Sequence, residues 1–199
     1  MTQISSIGAG LFSDMSVHVA SDLPSASTLA GLSTQGGFAA LFKTAILSAA
    51  TPGLSSTGQF IRLSSVREFP PMGTPPNIVN VPVYGSKTSQ QIQGHADAPS
   101  MELQLNYIAS DWAASTTLGD MVGDGIQRAF RFALLNSEPT GTGVTQYASS
   151  ALGLGLVENT QFFWVGKVEA LQVTPNLTDS NTSTVTMTIQ SEFFGAFTD

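Results

Sequence analysis

The stretch Pro99–Ser110, "PSMELQLNYIAS", sets Met101, Leu103, Leu105 and Tyr107 in alternation with Glu102, Gln104 and Asn106. A period of two predicts a half-buried β-strand over roughly 100–109, with one face on a core and the other toward water or a partner.

Working toward the C-terminus, the segment "STTLGDMVGDGIQRAFRFALLN" carries both periods. Leu118, Met121, Val122, Ile126, Ala129 and Phe130 fit a helix, and Thr117 with Asp120 resembles a capping box. Gly123 and Gly125 would each cost about 1 kcal/mol inside a helix. Phe130, Phe132 and Leu134 also alternate with Arg131 and Ala133. The reading is therefore a short helix over 116–124 and a strand over 126–136, not one long helix. A Gly/Ser/Thr-rich loop follows over 137–159. Two long strands close the chain, 161–174 with an irregularity at Gly166 and 183–197, joined by the turn-forming "NLTDSN". In the last, Val185, Met187, Ile189 and Phe193 face one way, and Thr186, Thr188, Gln190 and Glu192 the other.

Toward the N-terminus, "TGQFIRLSSVREF" over 57–69 reads as a strand with a bulge near Ser64–Ser65. Five prolines between Pro70 and Pro82 mark an extended connection, and strands over 79–84 and 88–93 flank a "YGSK" turn to make a hairpin. Met15, Val17 and Val19 suggest a short strand. Residues 38–50, "FAALFKTAILSAA", have helical composition and stop at "TPG". Two regions result: an N-terminal arm or loop over 1–56, with a possible helix at 38–50, and a β domain over 57–199. So long a low-charge arm is expected to gain order by packing on another copy.

Only 11 % of the 199 residues are charged, against about 25 % in an average globular chain. Seven Lys and Arg face fourteen Asp and Glu, for a formal charge of −7. Binding nucleic acid by phosphate neutralisation is disfavoured; surrounding it without adhering is not. With no cysteine, disulfides, zinc ribbons and thiol nucleophiles are excluded. The first basic residue is Lys43, so no positively charged leader precedes an apolar run, and no run approaches a membrane span. The glycosylation-type triplets at Asn176 and Asn181 read as chance in a Ser/Thr-rich chain.

No catalytic constellation assembles. His18 and His95 stand apart, outside any metal-ligand spacing, and read as surface or loop residues. The glycines around Gly153 and Gly155 lack a phosphate-cradling pattern, and the carboxylates are scattered singly. Phe162, Phe163 and Trp164, with Phe193, Phe194 and Phe197, would need basic neighbours to stack bases. Lys167 stands near Glu158, Glu169 and Glu192 instead, so these aromatics read as core or subunit packing. The collective pattern is of long amphipathic strands with apolar rows on one side and polar rows with sparse carboxylates on the other.

From about Val81 to Phe197 the chain resembles the tail tube (major tail) proteins of long-tailed, non-contractile bacteriophages. "SMELQLNYIASDW", "TTLGDMVGDG", "IQRAFRFALLNSEP" and the closing hairpin "FFWVGKVEALQVTP…STVTMTIQSEFFGAF" come in that family's order. The chain has no room for the immunoglobulin-like domain of many relatives, and residues 1–55 match nothing in the family. The resemblance implies a mainly β chain, a β-sandwich with a short flanking helix. Long hairpins from six copies would form a 24-stranded barrel. It implies stacked hexameric rings that form a tube for delivery of double-stranded DNA into the host, located in the virion tail after synthesis in the host cytoplasm. It further implies no enzymatic activity, cofactor, metal or membrane, and partners limited to other copies, tail proteins at the tube ends and passing DNA. Glu102, Gln104, Asn106, Glu169, Thr188, Gln190 and Glu192 would face the bore. Twenty-four strands about 4.8 Å apart give a circumference near 115 Å and a backbone diameter of roughly 37 Å, leaving about 27 Å inside the side chains. The rival readings are a capsid decoration or tail adaptor protein, and a carbohydrate-binding β-sandwich using Trp112 or Trp164.

Overall fold

Each polar group of a strand backbone needs a partner, and the way these strands find theirs organises the chain. The computed structural model describes residues 12–19, 28–29, 31–46, 58–63, 65–73, 78–82, 84–85, 87–88, 90–93, 100–114, 116–135, 138–139, 146–152 and 160–195. The strands are β1 (Asp14–His18), β2 (Thr44–Ile46), β3 (Gln59–Arg62), β4 (Val66–Glu68), β5 (Ile78–Val81), β6 (Gln90–Gln93), β7 (Ser100–Asn106), β8 (Arg128–Leu134), β9 (Thr160–Thr174), β10 (Thr182–Ile189) and β11 (Phe194–Gly195). Two short helices, α1 (Gln35–Ala39) and α2 (Ser149–Leu152), and a 3-10 turn at Gly119–Met121 complete the described elements.

One sheet runs β2-β3-β1-β8-β9-β10-β7-β4, with β11 also on β9; β5 and β6 pair only with each other. All pairings are antiparallel except β2 with β3. The main core joins Val17 of β1, Ile61 of β3, Phe130 of β8, Trp164 of β9, Met187 of β10 and Leu103 of β7. Strands from both ends of the sheet meet on it, so the sheet curves around its apolar face. Leu118 and Met121 close the core from the 3-10 turn.

The other face of the sheet is divided. Over β3, β8 and the first half of β9 it is covered by the N-terminal segment. There Leu29, Phe38 and Phe42 pack on Phe60, Ala129, Phe163 and Val165. Residues 35–46 thus order on their own sheet, contrary to the expectation that this segment would order on another copy. The expected helix at 38–50 is also corrected. Thr34 caps a helix at Gln35–Ala39, its hydroxyl accepting the Gly37 amide at 3.2 Å. The chain then turns into β2, where Ala45 is buried. The "TPG" stop lies outside the described residues.

Coverage on both faces explains why β1 is buried throughout, Asp14, Ser16 and His18 included. On β8, Phe130 and Phe132 face the main core as the alternation predicts, but Arg131 on the opposite face is wholly buried as well, and Leu134 is 41 % exposed. Arg131 Nη2 reaches Asp14 at 3.2 Å and Ser16 Oγ at 3.0 Å; Nη1 reaches the Tyr147 carbonyl at 2.8 Å and Ser149 Oγ at 3.2 Å. The guanidinium lies over Phe42 and Phe60, at 5.0 and 4.7 Å from their ring centres. Arg62 pairs with the other oxygen of Asp14 and stacks on Tyr147. This cluster pins part of the loop expected over 137–159, which contains α2, to the sheet.

The predicted helix over 116–124 is shorter, a 3-10 turn at Gly119–Met121. The residue that precedes the turn is Leu118, with no side-chain cap, in place of the expected Thr117 box; the Thr116 hydroxyl accepts the Gly119 amide at 3.1 Å and lies within donating distance of the Asp111 and Ala113 carbonyls. A Cβ on Gly119 would lie 2.0 Å from the Ala113 carbonyl oxygen. Gly123 and Gly125, at φ 73° and 72°, end the helical path, and β8 follows as expected. Between them and β8, Asp124 pairs with Arg128 at 2.7 Å. Burial raises the Asp124 pKa, but hydrogen bonds from Arg128 and the Ile126 amide and the Arg128 charge outweigh it, so it lies below its ordinary 3.8.

The predicted strand over 57–69 is two strands with different partners. Ser65 has φ 62°, and there the chain leaves β1 for β7, placing β3 and β4 at opposite ends of the sheet. The expected strand over 183–197 is likewise divided. After Ile189 the Ser191 hydroxyl accepts the Val165 amide at 2.8 Å in place of a backbone carbonyl, and pairing resumes only at β11.

The irregularity of β9 falls three residues beyond Gly166. Thr186 pairs with Ala170 and Met187 with Val168, so Glu169 is the extra residue of a bulge. The bulge shifts the alternation, letting Val168 and Leu171 both meet the main core. Gly166 is regular but crowded, since a Cβ there would lie 2.7 Å from the Thr188 carbonyl oxygen. Gly166→Ala should lower the unfolding free energy by about 1–3 kcal/mol in urea titrations by forcing β9 and β10 apart.

Candidate functional site

Four strands, β4, β7, β10 and β9, form the part of the sheet whose outer face the N-terminal segment leaves uncovered. The pairing sets the polar side chains in cross-strand rows. Ser100, Thr188 and Lys167 form the first, Glu102, Thr186 and Ala170 the second. Gln104, Thr184 and Gln172 form the third, and Asn106, Thr182 and Thr174 the fourth. Beneath them Met101, Leu103, Leu105, Val185 and Met187 are buried in the core. The strict alternation of β7 and β10 produces this two-faced slab directly.

Five of the seven expected site residues meet on this face: Glu102, Gln104, Asn106, Thr188 and Glu169. The bulge places Glu169 beside Thr188, whose hydroxyl donates to its carboxylate at 2.8 Å. Gln190 and Glu192 do not lie on β10, which ends at Ile189; both are exposed in the connection to β11, where the Gln190 amide donates to the Val165 carbonyl at 2.7 Å. The threonine ladder of β10, Thr182 to Thr188, supplies the middle of the face, and Lys167, Gln172 and Thr174 supply its β9 side. The even spacing of threonines in "TSTVTMTI" was visible in the sequence. The membership of Gln172 and Thr174 was not, because it depends on the bulge. Glu102 and Glu169 stand against Lys167, and Glu68, opposite Gln104, adds a third carboxylate.

Among the described residues no His, Cys, Asp and Glu cluster has metal-site geometry, and no helix is long and apolar enough to cross a membrane. His18 is not at the surface; it is buried, edge-on to Phe42. His95 and the glycines around 153–155 lie outside the described residues. Trp164 is fully buried and stacked on Phe130 at 5.7 Å, and Trp112 is half-buried against the core. Trp164 therefore cannot serve as the sugar platform of the carbohydrate-binding reading. Asn176 and Asn181 shape the hairpin tip: Asn181 Oδ1 accepts the Asn176 amide at 2.9 Å, and Asn176 Oδ1 accepts the Thr178 amide at 3.0 Å.

Among the described residues the slab is unpaired at both flanks. On one side the strand order ends at β4. On the other, β8 pairs with β9 only as far as Gly166, and the Gly123 amide donates to the Val168 carbonyl at 3.0 Å. Beyond that point no described strand lies on this edge of β9, and Val173 is 43 % exposed.

No family model matches this chain, and no curated protein matches it. Solved structures similar to it in part include the SPP1 tail tube, at 11 % identity and a TM-score of 0.42 over 78 % of this chain and 76 % of that one. Two come from an extracellular contractile injection system, PVC. Its sheath/tube terminator in the extended state is similar at 12 % identity and a TM-score of 0.42, over 66 % of this chain and 89 % of that one. Its extended sheath–tube complex is similar at 13 % identity and a TM-score of 0.41, over 66 % and 84 %.

Proposed function

We propose that the chain is a structural subunit of a phage-type tail tube, its β4-β7-β10-β9 slab joining those of other copies into a closed barrel. The observation that carries this reading is the pairing of a bare polar face with two open flanks on the same four strands. Open strand edges invite pairing with another chain, and closure into a barrel removes them. Joining the β9 edge of one copy to the β4 edge of the next would also cover Val173. Six copies would supply the 24 strands of the barrel expected from the family resemblance, and the mainly β chain with its short helices is compatible with that assembly.

The polar rows then line the bore, with Glu102, Gln104, Asn106, Glu169 and Thr188 among them. DNA carries one phosphate charge per about 1.7 Å of its axis. A surface of threonine, glutamine and asparagine with a small excess of carboxylate offers it no counter-charge to release, so the contact is weakly repulsive and independent of base sequence. Such a surface suits a conduit for double-stranded DNA, and with it we propose stacked rings in a virion tail, made in the host cytoplasm and working without a cofactor.

Electron microscopy of the purified protein tests the assembly. Hollow filaments or six-fold rings are expected, whereas trimers would point to a decoration protein. Val173→Lys should leave the monomer folded by circular dichroism and abolish the rings, because a charge on an open strand edge opposes edge pairing. Unchanged rings in that variant would rule out the β9 edge as the seam.

A further inference from the structure

β4 covers only the Leu105 end of β7. The bare Ser100–Leu103 edge opens into a groove of about 940 Å³. Phe69, Met72, Met101 and Phe193 form its apolar lining, and Glu68 and Glu102 also border it. Both carboxylates are on exposed residues, and no salt bridge to either occurs among the described residues.

A matching shape stands elsewhere on the chain. Among the described residues β5 and β6 form a hairpin that joins no other strand, and an isolated two-stranded ribbon is marginal in water. Near its tip Tyr84 is fully exposed, and Lys87 is exposed as well. A fully exposed tyrosine is not seated in the groove of its own chain. Aromatic rings favour methionine sulfur and apolar walls, and an ammonium favours a pair of carboxylates.

We infer that the β5–β6 tip of one copy docks in the Glu68–Met72/Met101/Phe193 groove of a second copy, Tyr84 entering the apolar lining and Lys87 meeting Glu68 and Glu102. Hairpin and groove are different surfaces, so the contact is heterologous, and repetition of it propagates an assembly instead of ending at a dimer. This deepens the tube reading, on which it rests for the direction of growth. It gives a role to the aromatic tip and to the apolar lining of the groove, with Glu68 and Glu102 at the rim where the groove meets the polar face.

The absence of cysteine allows a clean test. The double variant Tyr84→Cys/Met72→Cys should give, under mild oxidation at high concentration, a covalent ladder of three or more chains on a denaturing gel. Each single variant should give no more than dimers. Lys87→Glu should raise the concentration at which assemblies form by about tenfold or more, and Lys87→Glu with Glu68→Lys should recover much of it. Monomers only, or dimers only, from the double-cysteine variant would overturn the inference. If tubes form normally without the ladder, the docking is wrong and the tube reading stands. A ladder from protein that forms no tubes would keep the contact and reject the tube.

Discussion

Asp14→Ala should lower the unfolding free energy by about 3–5 kcal/mol, because removing one member of a buried ion pair leaves the other charge uncompensated. Arg131 has no exposed surface, and Asp14 is the only carboxylate it reaches among the described residues. Burial already pulls the Arg131 pKa down to about 10; the Asp14 charge and hydrogen bond oppose that fall, and Arg62 adds to it. The guanidinium therefore stays charged at neutral pH, and without Asp14 it would face neutral partners, two phenyl rings and the repelling charge of Arg62. Against a typical total of about 5–15 kcal/mol the loss is severe. Urea titration of the monomer measures it. Asp14→Leu/Arg131→Met should recover most of the stability, since replacing a buried pair by apolar side chains is often neutral or better. A loss below about 1 kcal/mol for Asp14→Ala would mean that water reaches this site.

On the proposed tube reading, genome delivery should fail when the subunit carries Glu169→Lys and Thr184→Lys, with a fall in infectivity of at least about a hundredfold. Thr184 lies in the middle of the polar face and Glu169 on its β9 side, both away from the groove that Glu102 borders. Six copies would turn a mildly anionic bore into one with about a dozen added ammonium groups per ring. Proteins making six to ten phosphate contacts lose roughly 10³–10⁵ in affinity between low and moderate salt. Lysines at this density should therefore hold DNA strongly, and higher salt should partly release it. The measurement is DNA retention in virions triggered to eject, with tube length checked by electron microscopy. Glu169→Gln should eject normally. Normal ejection through lysine-bearing tubes would show that this face does not line the path.

Much of the slab was legible in the sequence because a period of two needs no tertiary information. "MELQLN" and "TVTMTI" sort their residues onto two faces whatever they pair with. The helix–strand ambiguity around Gly123 and Gly125 was also open to reasoning, since each glycine costs about 1 kcal/mol inside a helix and alternation begins at Phe130; both glycines indeed take positive φ. The strand stops short of Glu192 because the Ser191 hydroxyl takes a ladder position just after Gln190, a substitution that periodicity cannot register. In "KVEALQVT", the three-residue step from Val168 to Leu171 was the available sign of the bulge.

The amino-acid order alone determined that this chain is built from amphipathic strands with a charge-poor, slightly acidic polar row, because alternation and composition are local properties. Only the tertiary structure decided which polar residues are buried. Asp14, Ser16 and Arg131 lie on strands whose alternation resembles that of the bare slab, yet the N-terminal segment covers them and the slab stays open. Solvent exposure depends on what a second, sequence-distant element places over a face, and no period along one strand records that.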